Sequence, residues 1–167
     1  GGALADDFGS SVAVTPDGGR AVVGARYDDT ADGRDAGSAR VFLRTGTNWA
    51  EEATLLASGG AADDYFGNGV ALSADGSRAL VGGVGAVSAR VFVRAGTNWS
   101  TEATLSAAAD FVGNSVALTA DGTRALVGNH SDDTLGMNAG SARIFVRSGT
   151  SWSPDATLLA LGGAAGD

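Results

Sequence analysis

One pattern recurs three times along these 167 residues and restricts the fold before any local propensity is weighed. A glycine is followed by a valine, an Asp-Gly pair, a Val-Gly pair, a Ser-Ala-Arg-hydrophobic-Phe run and a tryptophan. The first copy runs through Gly9, Val12, Asp17-Gly18, Val23-Gly24, Ser38-Ala39-Arg40-Val41-Phe42 and Trp49. The second uses Gly67, Val70, Asp75-Gly76, Val81-Gly82, Ser88-Ala89-Arg90-Val91-Phe92 and Trp99, and the third Gly113, Val116, Asp121-Gly122, Val127-Gly128, Ser141-Ala142-Arg143-Ile144-Phe145 and Trp152. A period of about 45 to 58 residues makes each copy one supersecondary unit that buries its apolar faces against its neighbours. The copies divide the chain at 1–58, 59–107 and 108–167, the second with shortened loops.

Four strands are predicted per copy. Gly9 to Thr15 alternates, with Val12 and Val14 on one face and Ser11, Ala13 and Thr15 on the other. Pro16-Asp17-Gly18-Gly19 is a turn: proline presets φ, the aspartate bonds its own backbone and glycine accepts positive φ. Arg20 to Gly24, Ala39 to Arg44 and Trp49 to Leu56 complete the unit, and a helix is nowhere predicted because the Ala107–Ala109 run is too short. Strands with apolar residues on both faces belong between layers. The predicted fold is therefore all-β: tandem four-stranded antiparallel blades of a β-propeller, as an open arc of three or part of a larger ring or assembly. A β-trefoil, which also has three four-strand repeats but closes by itself, is the alternative.

Composition narrows function mainly by exclusion. The formal charge is −8 with eleven arginines and no lysine, and an acidic chain repels a phosphate backbone, so neither nucleic acid nor an anionic membrane surface is an expected partner. No apolar run is long enough for a membrane helix. Cysteine is absent, which leaves the redox compartment open. The final run, Leu161 to Asp167, resembles Ser58 to Asp64, so the chain reads as a whole number of units from a longer array.

At this point the residues resemble a family. Phe8-Gly9 before the first strand and Val23-Gly24-Ala25 after the second are similar to the FG-GAP repeats of integrin-type β-propellers. The stretch from Asp28-Asp29 through Gly37-Ser38-Ala39-Arg40-Val41-Phe42 to Trp49 resembles prokaryotic and algal FG-GAP-like proteins of surface and secreted character. The chain departs from the family pattern where Arg26, Val84 and His130 replace the proline of Gly-Ala-Pro, and where Val112 stands in place of Phe8 and Phe66, with Phe111 one position earlier. The resemblance implies more blades than three in a closed ring.

The loop from Asp28 to Asp35 is the first candidate site. Calcium takes about six to eight hard oxygens, and Asp28, Asp29, Asp32 and Asp35 around Gly33 could supply several. The resemblance implies calcium in such loops, although Asp35 falls one place early for the family spacing. The third copy keeps Asp132, Asp133 and Asn138 with Gly136, and the second has no such loop. The competing reading is a solvated turn whose aspartates bond their own backbone. Asn98 and Asn129 begin glycosylation sequons and are expected to be exposed, but two sequons are close to chance in a chain this rich in Ser and Thr. His130 is the single histidine, so no histidine-based triad can form within the chain and an enzyme is not expected. Arg40 and Arg44 recur as Arg90 and Arg94 and as Arg143 and Arg147. These pairs would either contact an anion or glycan periodically or, as favoured, lie across a hairpin from Trp49, Glu51 and Glu52 and stack on the indole.

The expected function is a non-catalytic module of a secreted or cell-surface protein serving recognition, adhesion or assembly. The alternative is a structural subunit of an extracellular filament. Partners would be further blades of the same chain or other copies of it, with a protein or glycan as ligand.

Overall fold

The computed structural model describes residues 6–85, 89–106 and 113–160. Ser88, Ala107–Ala109, Phe111-Val112 and both chain ends lie outside the described residues, as does the boundary expected at 107 and 108. Twelve strands and no helix are found among the described residues. Strands β1 (Phe8–Val14), β2 (Arg20–Ala25), β3 (Ser38–Thr45) and β4 (Asn48–Leu55) form the first sheet. The second contains β5 (Gly69–Leu72), β6 (Arg78–Gly82), β7 (Ala89–Ala95) and β8 (Asn98–Leu105). The third contains β9 (Ser115–Leu118), β10 (Arg124–Asn129), β11 (Ser141–Ser148) and β12 (Ser151–Leu159). Each is a separate antiparallel meander in chain order, and the three do not close on themselves. A trefoil would pair strands of different copies in one barrel, so the propeller arrangement holds and that alternative does not.

The three Asp-Gly pairs occupy equivalent turns between the first and second strands. In each, the aspartate carboxylate accepts from the backbone N–H two residues on and from the hydroxyl two residues before: Gly19 and Thr15 on Asp17, Ser77 and Ser73 on Asp75, Thr123 and Thr119 on Asp121. Gly18, Gly76 and Gly122 take φ of 66°, 61° and 65°, the left-handed region a side chain resists. These bonds hold the Asp75 and Asp121 carboxyls down to about 2, and lower that of Asp17 too.

Each hairpin of third and fourth strands carries a bulge. Val41 pairs with Ala53 and Phe42 with Glu51, which leaves Glu52 as the extra residue. Glu102 and Asp155 are left over in the same way. Pro154 is tolerated beside that bulge because β12 is an edge strand.

The core lies between the sheets. Ala13, Val22, Ala39, Val41 and Leu55 of the first blade pack on Phe66, Val70, Val81 and Phe92 of the second. On the other side of that blade, Leu80, Ala89, Val91 and Leu105 pack on Val116, Ala125, Val127 and Phe145 of the third. Contact between blades is dense where β1, β5 and β9 adjoin and sparse where β4, β8 and β12 do, so the stack is wedge-shaped and curves around its first strands. Small residues make this approach feasible. A Cβ on Gly24 would stand 2.0 Å from the Gly67 carbonyl oxygen, and one on Gly82 would stand 2.2 Å from that of Gly113.

Candidate functional site

The two acidic loops join second to third strands in the first and third blades, and they share one internal wiring. The Asp28 carboxylate accepts from Ser38 Oγ at 2.5 Å, and its backbone carbonyl accepts from Gly37 N–H at 2.9 Å. Asp132 repeats this with Ser141 Oγ at 2.6 Å and Gly140 N–H at 2.9 Å. Asp29 accepts from the Asp35 N–H at 2.8 Å, as Asp133 does from the Asn138 N–H at 2.6 Å. Asp35 and Asn138 both have positive φ, 51° and 54°, a conformation that short polar side chains tolerate best. The Ser141 and Thr134 hydroxyls and the Thr134 N–H hold the Asp132 carboxyl below the usual range. Asp32 adds no bond to the set beyond its N–H, which donates to Thr30 Oγ1 at 3.1 Å. Among the described residues no three acidic or histidine side chains converge as a metal cage. The carboxylates of Asp28, Asp29, Asp132 and Asp133 accept bonds within their own loops, whereas Asp32, Asp35 and Asn138 enter those loops through their N–H groups, so the expected calcium ligands are not gathered about one centre in either loop.

The arginine–tryptophan expectation is met in register and corrected in chemistry. Arg44 pairs with Trp49, Arg94 with Trp99 and Arg147 with Trp152. The indoles, however, reach across to the preceding blade: Trp99 Nε1–H donates to Glu52 at 3.1 Å and Trp152 Nε1–H to Glu102 at 3.0 Å. Arg94 donates to the carbonyls of Gly76 and Gly96 instead of stacking. The cation–π contact among the described residues is Arg26 over Tyr27, 4.7 Å from the ring centroid.

Glu52 and Glu102, side chains 4% exposed, are the centres of two buried polar nodes. Arg20 grips Glu52 with two parallel bonds of 2.8 and 2.9 Å, and Arg78 grips Glu102 with two of 3.0 Å. Arg147 adds a third bond to Glu102 at 3.2 Å. The Arg20 bonds hold the Glu52 carboxyl low, with Trp99 helping against the opposing effect of burial. At Glu102 burial pushes the carboxyl up but is outweighed by Arg78, Trp152 and Arg147 together. Sequence reasoning did not find these nodes, although Arg20, Arg78 and Arg124 recur just after the three turns and could have signalled them.

Asn98 is exposed at the start of β8. The exposure expected of Asn129 is corrected: it is 3% exposed in β10, and its Oδ1 accepts from the Ser131 N–H. A glycan on that nitrogen would have to open a buried position. His130 contacts the Asn114 side chain. Arg40 is engaged by Glu51 and Asp28, and Arg90 donates to the Ser58 carbonyl, while the buried Nε of each has no hydrogen-bond partner among the described residues.

The two outermost faces carry the equivalents of residues that are buried elsewhere. Val12 is 69% exposed, whereas its counterpart Val70 is 9% exposed. Leu158 is 49% exposed, whereas Leu55 and Leu105 are 2% exposed.

A sequence profile of the FG-GAP repeat matches residues 1–42 and 49–91. Among curated proteins no sequence matches. Among solved structures, the fold is similar to the crystal structure of RRP9 WD40 repeats, with a TM-score of 0.59 and 15% identity over 95% of this chain and 40% of that one. TolB from Acinetobacter baumannii aligns over 89% of this chain and 32% of its own, with a TM-score of 0.49 and 11% identity. The chain thus spans less than half the length of these structures.

Proposed function

This chain belongs to the FG-GAP repeat family, and from that we propose that it is a non-catalytic propeller module of a secreted or cell-surface protein, serving recognition, adhesion or assembly. The observation that carries the reading is the coincidence of the FG-GAP profile with blade geometry. The Phe66 of the second Phe-Gly pair is fully buried between blades, and Gly67 gives its carbonyl the close approach to Gly24. A single histidine and carboxylates committed to loops and nodes support a non-catalytic role. Recognition falls to the loops that scaffold strands present. The loop of the third blade offers the exposed apolar side chains of Leu135 and Met137 beside its acidic residues, which suits a protein ligand better than an anionic one.

Antibody labelling of intact and permeabilised source cells, together with blotting of the medium, tests the location. Signal on intact cells or in the medium is expected; signal seen only after permeabilisation refutes the reading. A second reading, a subunit of an extracellular filament, is favoured by the apolar faces left at the two ends of the arc.

A further inference from the structure

The third strand of every blade carries an arginine at the same register: Arg40 opposite Thr54, Arg90 opposite Thr104 and Arg143 opposite Thr157. The position buries part of the guanidinium. In the first two blades Nε of Arg40 and of Arg90 has almost no solvent contact and no hydrogen-bond partner among the described residues. A cation drawn out of water in this way is stabilised by an anion at its open end.

The first blade shows how that end is served. Glu51 stands 3.4 Å from Arg40 Nη1 and Asp28 stands 3.7 Å from Nη2, while the Thr54 hydroxyl donates to the Glu51 carboxylate at 2.7 Å. One carboxylate thus comes from the fourth strand and one from the loop between second and third strands. In the third blade Pro154 takes the place of Glu51, but the loop keeps Asp132. The Asp132 carboxyl is held low by the Ser141 and Thr134 hydroxyls and, more weakly, by the Arg143 charge.

The second blade has lost both acids and kept the arginine. Thr101 takes the place of Glu51, opposite Phe92, and the shortened loop from Gly83 to Ser88 contains no acidic residue. Arg90 Nη2 donates to the Ser58 carbonyl at 2.8 Å, and no carboxylate lies within ion-pair distance of it among the described residues. Thr101 and Thr104 are exposed on the neighbouring strand.

We infer that Arg90 and Thr104 form a carboxylate-binding site, and that a glutamate or aspartate side chain of a partner polypeptide enters the place that Glu51 fills in the first blade. There the guanidinium takes one side of the carboxylate and the threonine hydroxyl donates from the other, a charge-assisted arrangement stronger than neutral bonds. The occupant carries its charge singly, because a chain of net charge −8 opposes a polyanion such as a nucleic acid or an acidic polysaccharide. An isolated acidic side chain on a protein meets that condition. All the site residues belong to one blade, so the site is independent of whatever adjoins the outer faces of the stack. That the occupant is a protein rests on the recognition role proposed above; binding to the purified chain tests the site wherever the chain resides.

Nitrogen-edited NMR of the 167-residue chain, titrated with the capped peptide acetyl-Gly-Glu-Gly-amide, provides the test. Saturable shifts of the Arg90 Nε–H and the Thr104 amide are expected, and the glutamine counterpart of the peptide should bind about tenfold more weakly or less. Arg90→Gln is expected to abolish the shift at Thr104. Thr101→Glu restores the carboxylate that the first blade has, and should lose peptide binding while melting no lower than the parent. Where Arg90→Gln fails to fold, Thr101→Glu still decides. Absence of a saturable shift with the glutamate peptide, equal binding of the two peptides, or undiminished binding by Thr101→Glu overturns the site. Saturation by sodium glucuronate without any by the peptide overturns the polypeptide occupant.

Discussion

At the scale of single residues, the carboxylates of Glu52 and Glu102 decide most. A bulge turns each one inward, where an arginine of its own blade and an indole of the next satisfy it. Removing one partner of such a buried pair leaves an uncompensated charge, so Glu102→Ala should cost about 3–5 kcal/mol by chemical denaturation. Glu51→Ala, on the exposed side of the β3–β4 hairpin that carries Glu52, should stay within about 0.5 kcal/mol. Gly82→Ala tests close approach without any demand on φ: the new methyl meets the Gly113 carbonyl at 2.2 Å, and about 1–3 kcal/mol of destabilisation is expected. The turn aspartates set the acid response. Asp75 and Asp121 titrate at about 2 against an ordinary 3.8, so their folded-state pKa is depressed. Their stabilisation is complete above the ordinary value and is lost as pH falls through the lower one. Melting temperature should therefore fall between about pH 4 and 2, and the combined Asp75→Asn, Asp121→Asn variant should show a shallower fall over that interval.

The elements repeat more faithfully than their loops. Asp-Gly turns, bulged hairpins and Arg-opposite-Trp register appear in all three blades, while the loop from second to third strand varies in length and composition. Its first and third versions nevertheless share a skeleton, because Asp28 and Asp132 anchor the loop and Asp35 and Asn138 turn it at positive φ. A loop whose anchoring carboxylates are already engaged would have to rearrange to take a cation. Thermal melts in millimolar calcium and in chelator should coincide; a rise with calcium would show that the carboxylates of Asp28, Asp29, Asp32 and Asp35 reorganise around the ion, since a ligand of the native state raises stability.

For the whole molecule, stability and association are the same problem. A blade is stable because neighbours cover its faces, and a stack of three covers four faces of six. Interior faces hold Val22, Leu80, Val91 and Phe66 with almost no solvent contact, while the outer ones leave Val12, Trp49 and Leu158 exposed.

Sequence alone determined the repeat, the strand count, the turns and the hairpin register. Those are local properties: alternation sets which way a side chain points, and Asp-Gly can make few other turns. It also set the family, through Phe-Gly and Val-Gly pairs whose small residues the packing later explains. It misjudged Asn129 because burial of a strand's last residue depends on what packs above it, and it left the acidic loops open between cation ligands and self-bonded turns because spacing does not reveal where a carboxylate points. Only the tertiary structure could decide that Trp99 and Trp152 serve the preceding blade, that Glu52 and Glu102 are bulge residues, and that Gly24 and Gly82 are small for a neighbour's carbonyl. The indole bonds and the glycine contacts join residues of different blades, and no periodicity within one blade encodes the distance between two; the bulge is a register slip inside one hairpin that strand alternation does not mark.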